Sequence, residues 1–134
     1  MTRRESRKNA FLLIFQYPVN PVNLDEIVEI TDTDEIQTDE FCLDLLGVTI
    51  ENIKTIDEAI RPHLKKWTLN RLPRVSLAVL RISSAQLLYM PDLPESVIIN
   101  EAVEITKEFG TEDEYAFVNG ALRSISETVR EKEA

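Results

Sequence analysis

The sequence predicts an all-α fold, two small helical bundles packed into one compact domain, and three observations carry that prediction. Only three glycines occur among 134 residues. No Asn-Gly pair sits between two strand-like runs, so hairpins and glycine-rich phosphate loops both lack their raw material. Apolar residues instead recur every three or four positions between prolines, which is the helical period.

The first helix is expected over about residues 3 to 17, where Ala10, Leu13, Ile14 and Tyr17 share one face. Pro18 and the Asn20-Pro21 pair stop it, because a proline removes a helix donor and clashes with the preceding turn. A short acidic piece near residues 24 to 30 and a polar stretch from Thr31 to Thr38 follow. A long helix from about Asp39 toward Leu64 then carries Phe41, Leu45, Val48, Ile53, Ile56 and Ile60 on one side, with Pro62 ending or bending it. Trp67 to Leu72 reads as a short turn or a single helical turn. Pro73 is placed to open the next helix, where its missing N–H costs nothing. That helix has Val75, Ala78, Ile82, Ala85 and Tyr89 on one stripe and Leu80, Leu87 and Leu88 beside it, so it should be the most buried. Pro91 ends it. Pro94 starts another, with Ile98, Ala102, Ile105 and Phe109 as its stripe and Gly110 expected as a left-handed C-cap. Thr111 and Glu114 form a capping-box pattern, so a last helix runs from there to about residue 130, and the tail from Arg130 to Ala134 should fray. The natural division is one domain, 1–134, with an N-terminal half of about 1–66 and a C-terminal half of about 67–134.

Composition is that of an ordinary globular chain, 43% apolar and 29% charged. The longest apolar run, Ala10 to Phe15, falls far short of the ~18 residues that span a bilayer, and a cytoplasmic protein without a membrane partner is the expectation. Cys42 is the only cysteine, so no intrachain disulfide can form.

Net charge is −9, yet the charges are blocked along the chain. Residues 1 to 17 hold Arg3, Arg4, Arg7 and Lys8 against Glu5. Residues 18 to 60 are strongly acidic. Residues 61 to 90 carry Arg61, Lys65, Lys66, Arg71, Arg74 and Arg81 and no acid, and the remainder is acidic again. Two basic zones on an acidic body fit either charges that answer one another across the fold or an electropositive strip for a polyanion, with the acidic blocks facing away.

Catalysis lacks its residues. One histidine, His63, and one cysteine cannot assemble a zinc site or a Cys-His couple, and no Glu-x-x-His pair is present for a di-iron centre. Glu101 and Glu104 read as a solvated helix face, and His63 as a helix-end surface residue. No enzyme, no metal and no cofactor are expected. The N-terminal arginines are more informative. Arg3 with Arg7, and Arg4 with Lys8, place like charges one turn apart at the positive end of the helix dipole. Local stability would put acids there, whereas a bound polyanion would neutralise the cluster.

The run Val79-Leu80-Arg81-Ile82, then Ile98 to Glu104, Lys107 to Gly110 and Phe117 to Leu122, together with Arg3-Arg4-Glu5-Ser6-Arg7 and Ala10, resembles the NusB family. The resemblance covers both ends and is strongest from Pro73 to Leu122. It implies a non-enzymatic all-α protein that pairs with the ribosomal protein NusE and binds boxA RNA. It further implies entry into an antitermination complex with RNA polymerase on transcripts such as ribosomal RNA leaders. Carried over by position, Arg3, Arg4 and Arg7 would meet RNA, with Phe117 near the same surface, and the start of the Pro73 helix would face the protein partner around Ser76. The N-terminal basic zone adds Lys8 to the RNA contacts, and the surplus of apolar residues on the Pro73 helix over what one core face can use places the partner surface around Leu72, Ser76 and Val79. Glu5 and Ala116 depart from the basic residues common in the family. A helical adaptor or free homodimer without RNA binding stays open, as does an RNA-binding domain like that of some RNA cytosine methyltransferases, although 134 residues leave no room for the catalytic part.

Two structural expectations follow. Arg81, in the most apolar helix, should be buried and paired with Glu101, since an unpaired buried guanidinium would cost several kcal/mol. Asn100, Asn119 and Gly120 should join the last two helices.

Overall fold

The computed structural model describes residues 1–16 and 36–130. Tyr17, the stop at Pro18 to Pro21, the acidic piece at 24–30 and most of the polar stretch lie outside the described residues, as do 131–134. Six α-helices and no strand are found among the described residues: α1 Arg3–Gln16, α2 Glu40–Glu51, α3 Ile53–Ile60, α4 Arg74–Tyr89, α5 Glu95–Phe109 and α6 Glu112–Val129. Two single 3-10 turns, Arg61–His63 and Leu69–Arg71, link α3 to α4. None of these helices is long and apolar enough to cross a membrane.

The all-α class is as expected, and α4 is the hub. Every residue from Ser76 to Leu87 is buried, because α1, α2, α3, α5 and α6 all pack around this one helix. Leu80, Ile82 and Leu87 lie among the largest fully buried side chains, each contributing roughly 1.5–3 kcal/mol of apolar burial. Arg130, just beyond α6, holds the C-terminal end of α4. Its guanidinium donates to the carbonyls of Gln86, Leu87, Met90 and Leu93, at 3.3, 3.0, 3.0 and 2.6 Å. Those carbonyls lie at a helix end, where a cation is favoured.

Several expectations need correction. The long second helix is two helices, broken at Asn52 (φ −116°), whose side-chain amide donates to the Val48 carbonyl at 2.9 Å in competition with the backbone ladder. Leu45, Ile56 and Ile60 of the expected stripe are buried, but α2 turns Cys42, Leu46 and Thr49 inward beside Leu45, with Phe41 and Val48 only half-buried. Gly110 is extended (φ −116°, ψ −159°), not left-handed. A side chain at Gly110 would meet the Glu114 carboxyl, which folds back to accept from the Thr111 N–H at 2.9 Å in the expected capping box. Phe109 is exposed rather than in the stripe, its ring resting on Phe11 with centroids 5.3 Å apart.

Arg81 is buried as expected, but its partner is Asp57 of α3, not Glu101. Glu101 points to α1 instead. Asn100 is exposed, and the hydrogen bond of Asn119 is internal to α6, accepting from Arg123 at 3.2 Å. Gly120 faces open space, with nothing within 4 Å of where a Cβ would stand. The α5–α6 contact rests on apolar side chains such as Ile98, Ala102, Val118 and Leu122 instead.

Candidate nucleic-acid interface

The N-terminal turn of α1 is closed by Thr2 and Glu5. The Glu5 N–H donates to Thr2 Oγ1 at 3.1 Å, and the Thr2 N–H and hydroxyl donate back to Glu5 Oε1 at 3.3 and 3.0 Å. These bonds from Thr2 hold the Glu5 carboxyl below its ordinary pKa. Glu5 therefore interrupts the basic run for a local reason: Thr2-x-x-Glu5 is a capping box, a pattern legible in the sequence but hidden among the arginines. A second tie fixes the direction of the helix. The Ser6 hydroxyl donates to Asp39, whose other carboxylate oxygen accepts from the Cys42 N–H at 2.8 Å, so the start of α1 is clamped to the start of α2. The Ser6 bond, followed by the Cys42 bond, lowers the Asp39 pKa.

On that fixed turn the four cations diverge. Arg3 is exposed and sits over the Phe41 ring of α2, its Cζ 4.0 Å from the ring centroid. Arg4 reaches α5, where Nε donates to Glu101 Oε2 at 2.9 Å and Nη2 to Oε1 at 3.0 Å. The Glu101 hydrogen bond, then its charge, raise the Arg4 pKa. Lys8 meets Glu108 at 2.7 Å and lies 5.5 Å from the Phe109 ring centroid. Arg7 turns inward: it is 4% exposed, and its Nε donates to Gln86 Oε1 of α4 at 2.7 Å. Burial, above all, lowers its pKa.

The placement of Arg7 among RNA-contacting residues is therefore corrected. Its position, four after Arg3, puts it on the same side of α1 as Ala10, Ile14 and the core, so it faces α4 rather than solvent. The expectation that acidic blocks face away is corrected as well, because Glu101 and Glu108 sit directly against the first basic zone.

The second basic zone is also divided. Arg81 is inside, and Arg74 lies at the far end of α1, donating to the Phe15 carbonyl at 2.9 Å. At 1.5 Å per residue that end lies roughly 18 Å from Arg3. Arg61, Lys65, Lys66 and Arg71 stay exposed around the two 3-10 turns, Lys65 in the left-handed region at φ 56°. Phe117 is half-buried in a cleft with Pro62, His63, Lys65 and Gly120, a cleft that no residue of the α1 cluster lines. His63 is half-buried there rather than a plain surface residue, its Nδ1 2.6 Å from the Ser124 hydroxyl.

Leu72, Ser76 and Val79 are buried at 6, 0 and 1% exposure, so they form no docking face of the free chain. The surplus of apolar residues on α4 is used by neighbours on all its sides. The exposed residues next to them are Trp67, Thr68, Asn70, Arg71 and Arg74, and Trp67 is 48% exposed.

Comparison with known proteins places this arrangement. The NusB family model matches residues 4–127. The transcription antitermination protein NusB of Oceanobacillus iheyensis is 38% identical over 125 residues, covering 93% of this chain and 98% of that one. Among solved structures, T. maritima NusB superposes with a TM-score of 0.79 at 35% identity, covering 95% of this chain and 92% of that one. A NusB chain from a complex of the antitermination factors NusB and NusE with dsRNA superposes at 0.82 with 25% identity, covering 94 and 96%. These relatives are named for antitermination.

Proposed function

This chain belongs to the NusB family, and on that premise we propose that it is a transcription antitermination factor that binds boxA-type single-stranded RNA together with the ribosomal protein NusE. The observation that carries the reading is the outward display of Arg3 and Arg4 on a capped and clamped helix start. Guanidinium groups held at the positive end of a helix suit a phosphate ligand better than they suit the isolated fold. The solved complex of NusB and NusE with dsRNA, one chain of which superposes on this one, supports a partnership with NusE and with RNA. In the cytoplasm the loaded pair would join an antitermination complex with RNA polymerase, and the free chain would be a monomer or homodimer.

The partner face moves to the exposed rim around Trp67, Asn70, Arg71 and Arg74, beside the buried residues first considered. The exposed Trp67 indole shares a shallow cleft with Arg61, and an exposed aromatic beside an arginine has the composition of an interface anchor.

A gel-shift assay with boxA RNA, with and without NusE, tests this reading. The RNA should shift most strongly with both proteins present. A protein adaptor that binds no RNA is the second reading, favoured by the ion pairs that already occupy Arg4 and Lys8. A stable complex with NusE that leaves the RNA unshifted would establish it and overturn the first.

A further inference from the structure

We propose that Glu101 is a positioning residue that sets RNA selectivity by holding Arg4 in a fixed plane, an inference that rests on reading the α1 start as an RNA contact. The geometry is specific. Glu101 is a mostly covered carboxylate, 15% exposed, whereas the arginine it holds is 67% exposed. The contact uses the Nε edge of the guanidinium, with Nε 2.9 Å from Oε2 and Nη2 3.0 Å from Oε1. Guanidinium has five N–H donors. The edge formed by Nη1 and the second Nη2 hydrogen is therefore left facing outward, a two-pronged donor suited to a phosphate or to the O6/N7 edge of an unstacked guanine.

Two consequences oppose each other. An arginine already ordered in its own fold loses less rotamer freedom when a ligand docks, which favours a ligand that matches the fixed fork. The carboxylate behind it repels every polyanion alike, which weakens binding that needs only charge. Together they exchange raw affinity for discrimination. Lys8 and Glu108 lack this geometry: a point charge meets one oxygen at 2.7 Å, with side chains 36 and 50% exposed. Glu108 should thus weaken all RNA binding equally and select nothing.

The test uses the full chain with NusE and measures binding of boxA RNA and of a scrambled RNA of the same length by fluorescence anisotropy. Glu101→Gln should bind scrambled RNA several-fold more tightly, and its preference for boxA should fall by about tenfold, within the worth of one two-point contact. Glu108→Gln should strengthen both RNAs and leave the preference unchanged. Arg4→Lys keeps the charge without the fork, so it should lose the preference while retaining the salt dependence, and it guards against a misfolded Glu101 variant. A preference for boxA that survives both Glu101→Gln and Arg4→Lys overturns the inference alone. A wild-type chain that binds neither RNA, with or without the partner, overturns the functional reading beneath it.

Discussion

Arg81 of α4 and Asp57 of α3 form a two-point ion pair inside the molecule, Nε to Oδ1 at 3.0 Å and Nη2 to Oδ2 at 2.9 Å. The side chains are 7 and 12% exposed. The pair joins the helical hub to the α-helix that precedes it. Arg81→Ala or Asp57→Ala should each destabilise the fold by about 3–5 kcal/mol, because either breaks a buried ion pair by removing one member. Replacing both with apolar residues of similar size should cost much less. Urea denaturation of the two single variants and the double variant checks this, and additive losses would contradict it.

The cations of α1 should separate in a salt titration. Arg3, Arg4 and Lys8 reach solvent, so log affinity for single-stranded RNA should fall with log salt at a slope of roughly −2, three contacts at about −0.7 each. Arg4→Ala should flatten that slope by about 0.7. Arg7→Ala should leave the slope unchanged and instead lower stability by roughly 1–3 kcal/mol, since it leaves the buried Gln86 Oε1 without its donor.

Burial pushes the Cys42 thiol up to about 11, with the Asp39 charge adding to the effect. The folded chain thus keeps the thiol protonated where an unfolded chain would release the proton. The resulting stability is fully present below the ordinary thiol pKa and is lost as pH rises toward 11. At pH 8 a thiol-specific reagent should label Cys42 slowly in buffer and rapidly in urea. Fast labelling of the folded protein would contradict its placement.

Arg130 anchors four carbonyls with one guanidinium. Arg130→Ala should lower stability by about 1.5–3 kcal/mol, the range for hydrogen bonds to a charged group. Arg130→Lys should recover only part of it, because a lysine cannot span the same carbonyls. Thermal melts of the two variants give the comparison.

The two glycines of the family signature should respond oppositely to alanine. Gly120 is an exposed helical residue facing open space, so Gly120→Ala should stabilise by about 0.5–1 kcal/mol. Gly110→Ala displaces the Glu114 carboxyl and should cost about 1 kcal/mol through the weakened cap. Chemical denaturation curves of both variants decide the signs.

The amino-acid sequence alone determined the features whose physics is local. Prolines 73, 91 and 94 and the Thr111–Glu114 box placed the last three helices, since a missing donor or a capping side chain acts within one turn. The apolar circumference of α4 already required that helix to be central, and burying Arg81 already required a carboxylate. Which carboxylate was a tertiary decision. Asp57 and Glu101 are both acids on neighbouring helices, and only the packing directions of α3, α5 and α1 give the first to Arg81 and the second to Arg4. The same holds for the basic cluster, where helical spacing set Arg3 and Arg7 near each other but the clamp from Ser6 to Asp39 and the position of α4 turned Arg7 inward. Side-chain periodicity specifies angles around one helix axis. It carries no information about which other helix, a hundred residues away in the chain, will occupy each angle.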